Sequence, residues 1–143
     1  MTVETDKAAI EALIKTFNKA HYDKDAAAVV ALYAPGAVLF DLAPPLAHKV
    51  DEKAMAAWFD TWEGPVESQS RDLEITVGGD AAFSRGLVQI SAVTKEGGEK
   101  AVWWMRATMC FVRAGGVWKI AHEHTSVPFH MDGSFRAATD LEP

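Results

Sequence analysis

Cysteine is nearly absent from this 143-residue chain, and the lone Cys110 excludes an internal disulfide and a multi-cysteine zinc site. Cys110 sits among apolar residues, which suits a buried, inert thiol. Basic residues are also scarce, 14 against 20 acidic ones, for a formal charge of −6. With no clustered Lys or Arg, neither nucleic acid nor an anionic membrane surface is an expected partner. No apolar run approaches the ~20 residues that span a bilayer. The polar opening Met1-Thr2-Val3-Glu4-Thr5-Asp6-Lys7 lacks the apolar core of a secretory signal, so the expected location is the cytoplasm. Dinucleotide and phosphate loops, a nucleophile elbow and Cys-x-x-Cys are all missing.

What is present is a globular composition, 49% apolar and 24% charged, in one domain of ordinary size. Ile10, Leu13, Ile14, Phe17 and Ala20 recur at helical spacing, with Thr5 or Asp6 as cap and an end near His21. A second helix starts at Asp25, carries Val29, Val30, Leu32 and Tyr33, and stops at Pro35-Gly36. Ala37–Phe40 reads as a short strand, and the Pro44-Pro45 loop that follows cannot be regular structure. Asp51 caps a third helix with an aromatic stripe of Met55, Trp58, Phe59 and Trp62, ended by Gly64-Pro65.

From residue 66 the helical period disappears. Four strand-like segments, about 66–77, 81–94, 100–113 and 117–127, are joined by glycine-rich turns that suit hairpins. Three helices before a four-stranded meander predict an α+β domain, with helices covering one face of a curved antiparallel sheet. The domain is expected over 1–128. Residues 129–143 have no clear period and read as a C-terminal tail.

Several residues carry chemistry. Asp41 ends the first strand after four apolar residues, where desolvation would raise a carboxylate's pKa and make it a general base. Its bland alternative is a turn-capping aspartate. His122 and His124 have the i, i+2 spacing of a metal chelate, with Asp41, His48 or Glu123 as further ligand candidates, but nothing in the sequence brings these together and histidines hydrogen-bonded within a sheet fit better. Glu123 alternates to the other strand face. A glutamate or arginine mid-strand is costly unless paired, so Arg106 and Glu123 are expected either as a salt bridge or as a charged pocket wall. Five tryptophans exceed what so small a core needs, and Trp often lines ligand sites.

The run Asp23-Lys24-Asp25…Val29-Val30-Ala31-Leu32-Tyr33-Ala34-Pro35-Gly36-Ala37-Val38 resembles the helix-to-strand passage of the nuclear transport factor 2-like superfamily. More narrowly, the chain resembles the SnoaL-like and ketosteroid-isomerase-like proteins over residues 6–128. The ending Gly116-Val117-Trp118-Lys119-Ile120-Ala121-His122-Glu123-His124-Thr125-Ser126 is similar to that of the calcium/calmodulin-dependent kinase association domain. The resemblance implies a cystatin-like roll, a cone whose concave face and helices enclose an apolar cavity and whose convex face builds a homodimer.

It also implies that Asp41 occupies the general-base position. The position of the family's oxyanion-holding tyrosine is taken by Phe17, and that of its protonated aspartate by Thr108, so steroid isomerisation is not expected. Under the same correspondence Trp104, Arg106 and Thr108 turn inward with Ala121, Glu123 and Thr125. Trp118, Ile120, His122, His124 and Ser126 turn outward. Periodicity alone favours the opposite, since Trp118 and Ile120 look like core.

The expected function is cofactor-independent proton transfer on a small apolar molecule, of isomerase, cyclase or dehydratase type. Asp41, Glu123 and Arg106 would be catalytic, and Phe17, Phe40, Phe59, Trp62, Trp104, Thr108 and Thr125 would hold the ligand. A non-catalytic binding or assembly module, and a metal-dependent lyase or hydrolase on His122 and His124, are the competing expectations.

Overall fold

The computed structural model describes residues 2–143. Thr2 caps helix α1 (Val3–Tyr22) through a reciprocal pair of bonds with Thr5, so the cap lies ahead of both expected positions, Thr5 and Asp6. Asp25 caps the one-turn helix α2 (Ala26–Val30), and Asp51 caps α3 (Glu52–Phe59), both as the sequence implies. The strands are β1 (Tyr33–Phe40), β2 (His48–Lys49), β3 (Trp62–Gly78), β4 (Ala81–Thr94), β5 (Lys100–Ala114) and β6 (Val117–Ser126). Two expected helical residues are strand residues instead. Tyr33 opens β1 and Trp62 opens β3, and Gly64-Pro65 lies within β3 rather than ending α3. Proline is tolerated there because β3 is the sheet's edge strand and its pairing slips between Glu63 and Glu67.

The six strands form one curved sheet in the order β2-β1-β6-β5-β4-β3. The meander β3 to β6 is antiparallel, as the hairpin turns predict. The sheet as a whole is mixed rather than antiparallel, because β1 lies parallel to β6. No tight turn joins these two strands, so nothing constrains them to run in opposite directions. The Gly115-Gly116 turn between β5 and β6 has two consecutive positive φ values, +59° and +78°, as a type I′ hairpin requires. Gly86 has a different reason: a Cβ there would come within 3.3 Å of the Leu73 backbone, where β3 bulges over β4.

The face of β6 turns on a single residue. Cys110 pairs with His122 and Phe111 pairs with Ile120, which leaves Ala121 as an extra residue in β6. Such a bulge inverts the inside–outside alternation on passing it. Trp118 and Ile120, before the bulge, are buried against α1 and Phe111. Glu123 and Thr125, after it, face the same concave side, while His122 and His124 face outward. Periodicity and the family correspondence, which conflicted over this strand, each describe one side of the bulge.

The core runs along α1 through Ile10, Ile14, Phe17 and Ala20, and meets Val29, Phe59, Val66, Phe111, Trp118 and Ile120. At the β5–β6 turn this core ends on a buried ion pair. Arg113 donates to Asp6 of α1 at 2.6 Å and to Asp80 at 2.9 Å, and its guanidinium lies 4.8 Å from the Trp118 ring centroid. Beyond β6, Phe129 and Ala137 form an isolated antiparallel bridge, and Ala138 is buried. No helix among the described residues is long and apolar enough to cross a membrane.

Candidate active site

Away from that ion pair, α1 and α3 diverge from the concave sheet and enclose a cavity of about 970 Å³. Its apolar wall is Phe17, Met55 and Trp58 from the helices, Trp62 at the start of β3, and Trp103, Met105 and Met109 from β5. Direct pairing of Met109 with Glu123 and of Ala107 with Thr125 sets those four side chains on the concave face.

The polar groups gather where β1 and β6 lie side by side. Glu123 is half-buried, with one side toward the cavity. Its carboxylate accepts a hydrogen bond from the Tyr33 hydroxyl at 2.7 Å, its one hydrogen-bond partner among the described residues. Burial pushes the Glu123 carboxyl up to about 7, and the nearby Asp41 charge adds to that rise. The Tyr33 hydroxyl and the His48 charge only partly oppose it. Tyr33 is itself pushed well above its ordinary value, first by burial and then by the Glu123 charge, so it remains a hydroxyl donor.

At the mouth, Asp41 and His48 lie 2.5 Å apart, and both side chains are more than a third exposed. His48 Nδ1 also meets the Lys49 carbonyl at 2.9 Å. Both ring nitrogens therefore point at acceptors, which favours the imidazolium, and the His48 pKa is raised, chiefly by the Lys49 carbonyl. Asp41 thus stands at a solvent-facing rim with its charge met by histidine, not in the apolar pocket expected of it.

The expected site residues divide by face. Phe17, Asp41, Trp62, Glu123 and Thr125 line the cavity. Phe59 is fully buried beneath the wall. Arg106, Trp104 and Thr108 are corrections, since they lie on the outer face of β5, one residue out of phase with the lining. Arg106 is exposed and donates to the Ser126 hydroxyl at 3.1 Å, not to Glu123. Phe40 also faces outward, edge-on to His122 and His124. His122 donates to the Val38 carbonyl at 2.5 Å. Among the described residues no three His, Cys, Asp or Glu side chains gather as a metal-binding group.

Tyr33 and His21, both in the lining, escaped the sequence, and His48 stood there only as a possible metal ligand. Tyr33 was assigned to α2 because Val29, Val30 and Leu32 precede it at helical spacing. His48 lies beyond a proline-rich loop that carries no signal of distance. His21 could have been found, because it extends the stripe Ile10, Ile14, Phe17 by one helical turn.

With fold and cavity in place, the sequence profile of the SnoaL-like domain matches residues 10–130, and the chain belongs to that family. A nuclear transport factor 2-like protein of unknown function from Pseudomonas putida KT2440 is 29% identical, with 98% of each chain covered and a TM-score of 0.86. A candidate dehydratase of the same family from Streptomyces avermitilis is 18% identical over 87% of this chain and 97% of its own, at TM-score 0.77. A candidate scytalone dehydratase from Novosphingobium aromaticivorans is 16% identical over 94% and 92%, at TM-score 0.75. No curated protein matches the chain.

Proposed function

We propose that this SnoaL-like domain binds a small, uncharged, largely apolar organic molecule and moves a proton on it without a cofactor, as an isomerase or lyase does. The observation that carries this is Glu123, a carboxyl group held near neutrality inside an aromatic cavity with a single hydroxyl donor. A group that titrates near the working pH serves as both base and acid. As carboxylate, Glu123 takes a proton from a carbon beside a carbonyl. As acid, it returns that proton to another carbon, which is isomerisation, or to a departing hydroxyl, which leaves as water. Tyr33 holds the carboxylate in one orientation. Asp41 and His48 form a second acid–base pair at the rim, where a substrate enters.

An uncharged ligand is favoured by the lining. Among the described residues its permanently cationic side chain, Lys49, belongs to the rim, as does His48, and nothing at depth compensates an anion. The similarity to two candidate dehydratases is one of fold.

A neutral bicyclic ketone, 2-tetralone, tests the assignment in heavy water. The intact protein is expected to accelerate deuterium incorporation beside the carbonyl at least tenfold over Glu123→Gln, the scale of general-base catalysis being ~10²–10⁴. Saturable binding with identical exchange in both proteins would instead identify a non-catalytic binding module.

The proposal extends to a cytoplasmic homodimer. Trp118 and Ile120 are buried in the core, but the outer face still exposes Phe40, Phe83, Val102 and Val112, an apolar surface that a second copy would cover. Light scattering at micromolar concentration is expected to give twice the chain mass, and a monomer would overturn that.

A further inference from the structure

His21 occupies the last turn of α1, on the stripe that faces the cavity. Its Nδ1 lies 2.8 Å from the Phe17 carbonyl, an acceptor, so Nδ1 carries the proton and Nε2 keeps its lone pair. The ring is held in place. Phe17 lies against it with centroids 4.3 Å apart, and Phe59 meets it edge-on at 5.6 Å. Burial pushes the His21 pKa down, against the smaller upward pull of the Phe17 carbonyl and the Asp41 charge, and so keeps the imidazole neutral.

Nε2 bonds to no described residue. The half-buried or buried side-chain atoms that are sealed off without a partner are the indole nitrogens of Trp62, Trp103 and Trp118, so His21 Nε2 is unpartnered but open. Two lining side chains that are themselves buried share this condition. Ser84, 2% exposed, and Thr125, 6% exposed, have hydroxyls with no hydrogen bond among the described residues. Buried polar groups are normally paired. A cavity that leaves a fixed acceptor and two hydroxyls unpaired is arranged for polar atoms brought by something else. The hydroxyls can donate or accept, whereas Nε2 can only accept.

We infer that His21 Nε2 receives a hydroxyl proton from the ligand, so that the cavity selects uncharged phenols, enols or alcohols over the corresponding ethers. This rests on the proposed role of the cavity as a ligand site, and it adds His21 as the group that determines specificity there.

Two probes of matched shape, 2-naphthol and 2-methoxynaphthalene, separate the cases when titrated calorimetrically against the full chain. The phenol is expected to bind roughly tenfold tighter, the scale of one well-made hydrogen bond. His21→Phe is expected to bring the two probes within about twofold. Since that variant could disturb the packing on Phe17 and Phe59, the intact protein supplies a second readout. The ¹⁵N resonance of His21 Nε2 should move upfield on saturation with 2-naphthol and stay unmoved with the ether. Equal affinity for both probes, or an Nε2 resonance indifferent to the phenol, overturns the inference. If neither probe binds, the cavity's proposed role falls with it. If both bind equally while Glu123-dependent exchange of 2-tetralone persists, the role of His21 falls alone.

Discussion

Two acidic side chains lie beneath the same concave sheet, and the fold handles them in opposite ways. Asp6 is buried at the closed end, where Arg113 meets it at 2.6 Å and is steadied in turn by Asp80 and Trp118. Glu123 sits at the open end with one tyrosine hydroxyl and no cation in contact. A charge met by arginine holds two elements of the fold together. A charge left uncompensated in a desolvated place holds its proton more tightly, which makes it chemically useful and energetically costly. The closed end ties α1 to the sheet, and the open end is where a proton can move.

That contrast can be broken by experiment, most forcefully at the closed end. Asp6→Ala leaves Arg113 without its buried partner, and loss of a buried pair is expected to lower Tm by roughly 10 °C in calorimetry. The opposite sign is expected at the open end. Because folding raises the Glu123 pKa from 4.5 to about 7, the native state holds the proton more tightly than the unfolded chain. Stability therefore falls as pH rises through that window, by on the order of 3 kcal/mol, and levels off above it. Glu123→Gln should remove this fall and be the more stable protein at pH 8, as urea denaturation at pH 5 and pH 8 would reveal. A wild-type protein equally stable at both pH values would deny that Glu123 is desolvated.

Smaller changes sharpen the same comparison. Tyr33→Phe removes the donor that favours the carboxylate, so the Glu123 midpoint in an NMR titration should rise by about 1 pH unit. Asp41→Asn should lower the His48 midpoint while altering stability by less than ~0.5 kcal/mol, since the pair is exposed and screened. Arg106→Ala, on the outer face, should leave 2-tetralone affinity within about twofold. A larger loss would return Arg106 to the cavity.

Much of the fold was legible in the chain. The apolar spacing of residues 10–20 marked α1, the aspartate caps Asp25 and Asp51 marked α2 and α3, and the paired glycines marked the hairpins. Glu123 and Asp41 stood out because a carboxylate within or at the end of an apolar strand is costly. Strand alternation has no marker for an inserted residue, so the bulge at Ala121 hid that β6 changes face along its length, while the family correspondence, one residue out of phase on β5, placed Trp104, Arg106 and Thr108 in the wrong layer. Tyr33 was lost for a related reason, because a residue next to a helix keeps helical spacing with its neighbours even after the backbone has become extended.

The chain's own pattern of apolar, capping and turn residues was enough to determine an α+β domain with carboxylates at the end of β1 and within β6, and its resemblance to the SnoaL-like proteins supplied the roll. Local periodicity and turn chemistry act over a few residues and need no partner. Only the folded molecule decided that Asp6 meets an arginine and Glu123 a tyrosine, because both pairings join residues about a hundred positions apart. Proton affinity depends on what surrounds a carboxyl group in space, and register between distant strands sets those surroundings.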